Sequence, residues 1–316
     1  MDFQSAFAEP LSTYVELRRG LGFRSQTEAY LLRAFDRYVY KRGHTELNQD
    51  LALNFASDNP NTSIDYRAHR YQVVRQFSEY LATSDPQVPL FNPKAMLRSK
   101  NRIPPFIYTD EQLACLLDEA RHISPKHPVR GVTLHAMVGL GASTGLRISE
   151  VVGLDRTDVD LATGSLLVRQ SKFGKDRYVP VHLTTLDVLR HYAFIRDTAF
   201  PNCHHPAFFL NLRQRRFCRN SLQQGFCKLA RRAGLRGPRG RGASFHGLRH
   251  RFAVKRLVAW YKAGIDVQAM LPALATYMGH IHYSDTAYYL KATAELLGLA
   301  AGLYENSLQQ TEVHPL

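Results

Sequence analysis

Four separated segments of this chain carry polar side chains of the kind that act together on a phosphodiester. "STGLRISE" sets Arg147 and Glu150 three residues apart at the end of an apolar stretch, a spacing that shares one helical face. "SKFGKD" presents Lys172 between two segments of alternating character, and "SFHGLRHRF" puts His246 and Arg249 at i, i+3. "MGHIHYSDTAYYLKAT" places His280 after Gly279, with Tyr283, Tyr288 and Tyr289 beyond it. Two arginines clamp the non-bridging oxygens of a phosphodiester through planar, bidentate donors. They neutralise a five-coordinate phosphorus without a metal ion. Histidines donate to the same oxygens or move protons, and a lysine on a hairpin protonates a departing oxygen. A tyrosine, with a pKa of about 10, becomes a good nucleophile where concentrated positive charge favours its phenolate. The product of such an attack is a covalent phosphotyrosine.

These groups need elements to bring them together. His280 and Tyr289 are nine residues apart, and at about 100° per residue an unbroken helix would put them on opposite sides. The chain must therefore break between them. Ser284 and Asp285 are suitable N-caps, which predicts a loop and then a helix starting near Asp285. On that helix Tyr288 and Tyr289 point about 100° apart, so only one of them aims at the site. Upstream, "SLLVRQ" and "RYVPVHL" alternate apolar and polar residues around "SKFGKD" and read as a hairpin with Gly174 in its turn. The apolar run from Gly131 to Leu154 reads as buried helix, and "SFHGLRHRFAVKRLVAWY" is helical again. Thr109 with Gln112 forms a capping box that opens another helix.

The first part of the chain is helical by pattern. Ser25 with Glu28 precedes Leu31, Phe35, Tyr38 and Val39 at helical spacing, and a second segment aligns Val73, Phe77, Tyr80 and Leu81. Residues 86–106 hold Pro86, Pro89, Pro93, Pro104 and Pro105 and read as an extended linker. The organisation this predicts is a helical domain over 1–85, a linker over 86–106 and a second, mixed domain over 107–316.

The chain has 316 residues, with 41 Lys+Arg against 27 Asp+Glu and a formal charge of +14. So basic a protein suits a polyanionic partner, nucleic acid first. Candidate phosphate contacts are Arg33, Arg37, Lys41 and Arg70 on the first helices, Lys100 and Arg102 in the linker, and Arg213, Arg215, Arg239 and Arg241 in an arginine-dense stretch loosened by Gly237, Gly240 and Gly242. The four cysteines form no CxxC pair and read as reduced thiols of a cytosolic protein. The acidic start "MDFQSAFAEP", broken by Pro10, does not read as a signal peptide. No apolar run approaches the roughly 20 residues of a membrane span.

In order, "TGLRISE", "HGLRH" and "MGH" followed nine residues later by tyrosine resemble the tyrosine recombinase (phage integrase) family. The resemblance implies a mainly α fold with a small antiparallel β-sheet, in two domains: an N-terminal helical bundle that clamps DNA and a C-terminal catalytic domain. It implies site-specific strand exchange on double-stranded DNA, by a homotetramer on two duplexes, with no cofactor or metal. It also implies a prokaryotic, phage or mobile-element origin and association with the nucleoid. Matched position by position, Arg147, Lys172, His246, Arg249 and His280 surround Tyr289 as nucleophile, and Glu150 supports them. Tyr288 for Tyr289 and Lys175 for Lys172 stay open as alternatives. Arg251 departs from the pattern, standing where Thr is common, and the connection into "MGH" is longer than usual. The apolar tail, with Leu296, Leu297, Leu299 and Leu303, is expected to dock on a neighbouring subunit. The rival readings are a type IB topoisomerase and a DNA-binding regulator without catalysis.

Overall fold

The computed structural model describes residues 3–22, 26–96, 105–124, 126–169, 176–235, 242–280, 282–291 and 298. The chain divides into two compact units, Met1–Ile103 and Pro104–Leu316.

The first unit holds α1 (Ala8–Gly20), α2 (Gln26–Arg42), α3 (Gln49–Ser57) and α4 (Ile64–Ala82). The Asn48 side chain caps α3 by accepting from the Leu51 amide, and Ser63 caps α4 by accepting from Tyr66. Leu31, Phe35, Tyr38, Val39, Val73 and Phe77 are buried in the core, as the helical spacing predicts, and Phe55, Tyr71 and Val74 join them. Asp36 is buried and accepts from the amides of Gln4 and Ser5 at 2.9 Å, tying the start of the chain to α2. The first half of the expected linker is anchored to this unit. Phe91 is buried in this core, and the Asn92 amide and carbonyl bond Gln49 and Tyr71 at 2.7 Å. Local proline content says nothing about such anchoring.

The second unit contains α5 (Asp110–Arg121), α6 (Pro128–Thr144), α7 (Ile148–Gly153), strands β1 (Val159–Asp160), β2 (Ser165–Val168) and β3 (Arg177–Pro180), then α8 (Leu183–Ala199), α9 (Arg219–Arg232), α10 (Phe245–Lys262), α11 (Val267–Met278) and α12 (Tyr283–Ala287). A 3-10 turn follows over Tyr288–Lys291. The fold is thus mainly α with one small antiparallel sheet. The sheet order is β1-β2-β3, with Leu166 opposite Val179. Leu166, Val168 and Val179 turn into the core, where Leu134, Met137 and Leu140 of α6 and Phe245 of α10 are also buried. α6 is so apolar because α5, α7, α8, α9 and α10 all pack on it. Thr109 and Gln112 make the predicted reciprocal capping box. Among the described residues no helix is long and apolar enough to cross a membrane.

Arg251, the departure in "LRHRFA", has a structural role. It and Lys255 both pair with Asp110, linking α10 to the first turn of α5.

Candidate active site

The site forms where α6 ends, α7 begins and α11 ends. α6 stops at Gly145, which sits in the left-handed region at φ 65°. Two residues later Arg147 is the N-cap of α7, not part of a helical face as the i, i+3 spacing suggested. The pair meets all the same. Glu150 accepts from the Arg147 amide and from its Nη1, both at 2.9 Å. Arg147 Nη2 also donates to the Gly279 carbonyl at 2.9 Å, bridging to the end of α11.

Glu150 is buried. Burial alone would raise its pKa. The hydrogen bonds and charge of Arg177, with the Arg147 amide and charge, outweigh that and hold the carboxyl below its usual range. Arg177 is a site residue that sequence reasoning missed. It lies at the start of β3, donates to both Glu150 oxygens at 3.1 Å, and gives Nε to the Tyr277 carbonyl at 2.9 Å.

Arg249 is 1% exposed on α10. Its two terminal nitrogens donate to the Gly145 and Met278 carbonyls at 2.7 Å. Burial and the neighbouring Arg147 charge draw its pKa down to about 10, which leaves it charged at neutral pH. His246, one turn earlier, stays open to solvent. Partial desolvation of its ring and the charges of Arg249 and Arg147 shift it downward.

His280 follows Gly279, which caps α11 at φ 67°. Its Nδ1 bonds the buried Thr286 hydroxyl at 2.7 Å. A Thr286 hydroxyl that donates to Nδ1 leaves the ring proton on Nε2, free to serve a phosphate oxygen. Burial, then Arg249 and Arg147, push His280 down to about 4.

Tyr289 lies on the 3-10 turn. The break between it and His280 is where the spacing requires it. The helix begins at Tyr283, however, with His282 and not Ser284 or Asp285 as N-cap, because α12 packs on α11 and Thr286 is held by His280. The Tyr289 ring stacks on His280 with centroids 6.1 Å apart and meets the edge of His250 at 5.4 Å. Tyr288 is 39% exposed and Tyr289 only 3%. The expectation of a depressed phenol pKa is corrected: burial raises it, and the opposing charges of Arg249 and Arg147 do not fully offset this.

His250 is a second residue whose place was not foreseen. Its ring lies between those of His246, at 4.6 Å, and Tyr289. The signal was available, since 246 and 250 are i, i+4 on one helix. Burial, then the charges of His246 and Arg249, lower it to about 4.

His250 and His280 near 4, against about 6.5 in an unfolded chain, mean that the unfolded state binds more protons. Stability is therefore full above about pH 6.5 and falls as pH drops toward 4. Urea midpoints measured at about pH 7 and about pH 5 should show the loss, and His250→Gln should narrow the gap.

Lys172, Lys175 and Gly174 lie outside the described residues, as do Lys100, Arg102, Arg239, Arg241 and the tail leucines 296, 297, 299 and 303. Arg33, Arg37, Lys41, Arg213 and Arg215 are exposed. Arg70 is not, which corrects its reading as a phosphate contact. It is buried with its guanidinium 4.0 Å from the centre of the Phe55 ring, a cation–π contact on the face that also carries Val73 and Phe77.

The model of the phage integrase family matches residues 108–295, which contain this whole constellation. The chain belongs to that family. It is 45% identical over 95% of its length, and 96% of the relative's, to y4rE of Sinorhizobium fredii, which bears the name integrase/recombinase. It is 31% identical to the tyrosine recombinase XerD of Brucella abortus over 73% of each chain. Among solved structures, a Tn1549 transposon integrase in complex with transposon right end DNA matches with TM-score 0.66 over 94% of this chain and 98% of that one, at 15% identity. The XerH site-specific recombinase bound to a palindromic difH substrate matches with TM-score 0.65 over 88% and 79%, at 19% identity. These distant likenesses concern the fold.

Proposed function

We propose that this chain is a site-specific DNA recombinase of the integrase or transposase type. The observation that carries the reading is the gathering of Arg147, Arg249 and His280, drawn from three separate segments, around Tyr289, with His246 reaching the same ring through His250. Tyr289 Oη attacks the scissile phosphorus, and the bond from phosphorus to the 5′ oxygen breaks, leaving a 3′-phosphotyrosine. Arg147 and Arg249 hold the non-bridging oxygens. His280 donates from Nε2 to those oxygens, and the neutral imidazole of His246 receives the phenol proton. Lys172 protonates the departing 5′ oxygen. Attack by the 5′-hydroxyl of a partner strand reverses the step, so the bond energy is conserved and no nucleotide is consumed.

Double-stranded DNA with specific recombination sites is the partner, and a homotetramer on two duplexes is the working assembly. Arg33, Arg37, Lys41, Lys100, Arg102, Arg213, Arg215, Arg239 and Arg241 contact the backbone. Each such contact steepens the loss of affinity with salt. The protein acts in the cytoplasm on the nucleoid of a prokaryote, phage or mobile element.

A nicked suicide duplex carrying the native site tests the reading. The expected result is a covalent adduct on the 3′ side of the break, and joint products when a second duplex is added. Binding without an adduct identifies a regulator. Relaxation of supercoils with rejoining of the same strand only identifies a topoisomerase.

A further inference from the structure

We infer that Arg177 is a positioning residue of the cleavage step, setting the turn that presents His280 and the carboxylate that orients Arg147. The inference rests on the recombinase reading above. Its basis is the number and direction of the contacts this one side chain makes. Nη1 and Nη2 reach the two oxygens of Glu150 at 3.1 Å, a bidentate pair. Nε donates to the Tyr277 carbonyl at 2.9 Å, and Nη2 also approaches the Met278 carbonyl at 3.4 Å. The guanidinium lies so close over Gly279 that a β-carbon there would stand 2.7 Å from Nη1.

Arg177 thus joins β3, α7 and the last turn of α11 through one planar group. Three of its four neighbours lead to a residue of the site. Glu150 holds the Arg147 amide and guanidinium. The Met278 carbonyl is also the acceptor for Arg249. Gly279 precedes His280, and its own carbonyl accepts from Arg147. Arg177 need touch no DNA to act in this way, and a lysine cannot replace it. An ammonium has no planar fork to span a carboxylate while reaching two carbonyls.

The charged groups facing Glu150 are Arg147 from α7, Arg177 from β3 and Arg249 from α10. Removing Arg177 takes away the strongest of the bonds that keep the Glu150 carboxylate ionised, so its protonation moves to higher pH. A protonated Glu150 accepts less well from Arg147. The cleavage rate of the variant should therefore fall on the acid side at a higher pH than in the native protein.

The test is the single-turnover rate of adduct formation on a nicked suicide duplex, across pH, with duplex affinity measured alongside. Arg177→Gln should slow cleavage by about 100-fold, the scale of a displacement of about 1 Å, with duplex affinity little changed and the acid limb displaced upward. Arg177→Lys should recover only part of the rate. In Arg177→Gln with Glu150→Gln the upward displacement of the acid limb should vanish. If Arg177→Gln only lowers the fraction of active molecules, and those molecules cleave at the native rate with the native pH profile, the side chain is structural and the inference fails. If Arg177→Lys restores the full rate, charge suffices and the positioning role fails too. If the native protein forms no adduct, the recombinase reading itself has fallen, a result distinct from both.

Discussion

Replacing Tyr289 by Phe should abolish the covalent DNA adduct, a loss on the order of 10⁴-fold or more as expected for a missing nucleophile, while duplex binding persists. The substitution is structurally mild. Phe keeps the ring that stacks on His280 and meets His250, and it stays apolar within the buried cluster that also holds Leu257, Leu274 and Met278. What it removes is one oxygen, next to the charge of Arg249 and Arg147. Denaturing gels of protein mixed with end-labelled suicide duplex give the readout, with gel shifts for binding. Tyr288→Phe is the informative partner. Tyr288 is the more exposed of the two, and accessibility alone would favour it as nucleophile. The buried phenol is the better candidate because it alone is stacked on His280 and coupled to Arg249. An adduct that survives Tyr289→Phe and disappears in Tyr288→Phe would transfer the role.

Gly279→Ala should cripple cleavage by about 100-fold with a modest loss of stability. Two effects act on this residue. Its φ of 67° is left-handed, which costs an alanine roughly 1–2 kcal/mol. Its β-carbon would also strike the Arg177 guanidinium at 2.7–2.9 Å, and that side chain is pinned by Glu150 and two carbonyls, so something must shift. The adjoining peptide carries the Arg147 acceptor on one side and His280 on the other. Gly264→Ala separates the two effects. Gly264 has nearly the same φ, 66°, with nothing within 4 Å of the added carbon. It should lose about the same stability from backbone strain and retain native cleavage. Equal cleavage rates in the two variants would show that crowding at Gly279 has no bearing on the chemistry.

Arg147, His246, Arg249, His280 and Tyr289 were legible because each stands in a short motif, and the motifs occur in order along the chain. The capping box of Thr109 and Gln112 was legible because it is decided within four residues. Arg177 was not. It is one of 41 basic residues, and its partners lie 27, 100 and 101 positions away, distances at which no local pattern operates. Arg70 was misread although the pattern was present. It falls three and seven residues before Val73 and Phe77, on the buried stripe of α4, and assigning arginine to solvent by type hid this. The start of α12 was placed two residues late because Ser284 and Asp285 are good caps in isolation, whereas tertiary packing set the boundary. The raised phenol pKa was out of reach of the sequence because it depends on desolvation, which composition does not report.

Among the described residues, Glu150 is the carboxylate that pairs with Arg147 and Arg177 and whose charge acts on Arg249, so three guanidinium groups there face one negative charge. Backbone carbonyls solvate these cations but do not neutralise them. A phosphodiester seated there acts as the absent counter-ion. Any anion that occupies the site in the native state and not in the unfolded chain must favour folding. The substrate is in this sense a structural ligand of its own enzyme, and the interior that cuts DNA is most at ease when DNA fills it.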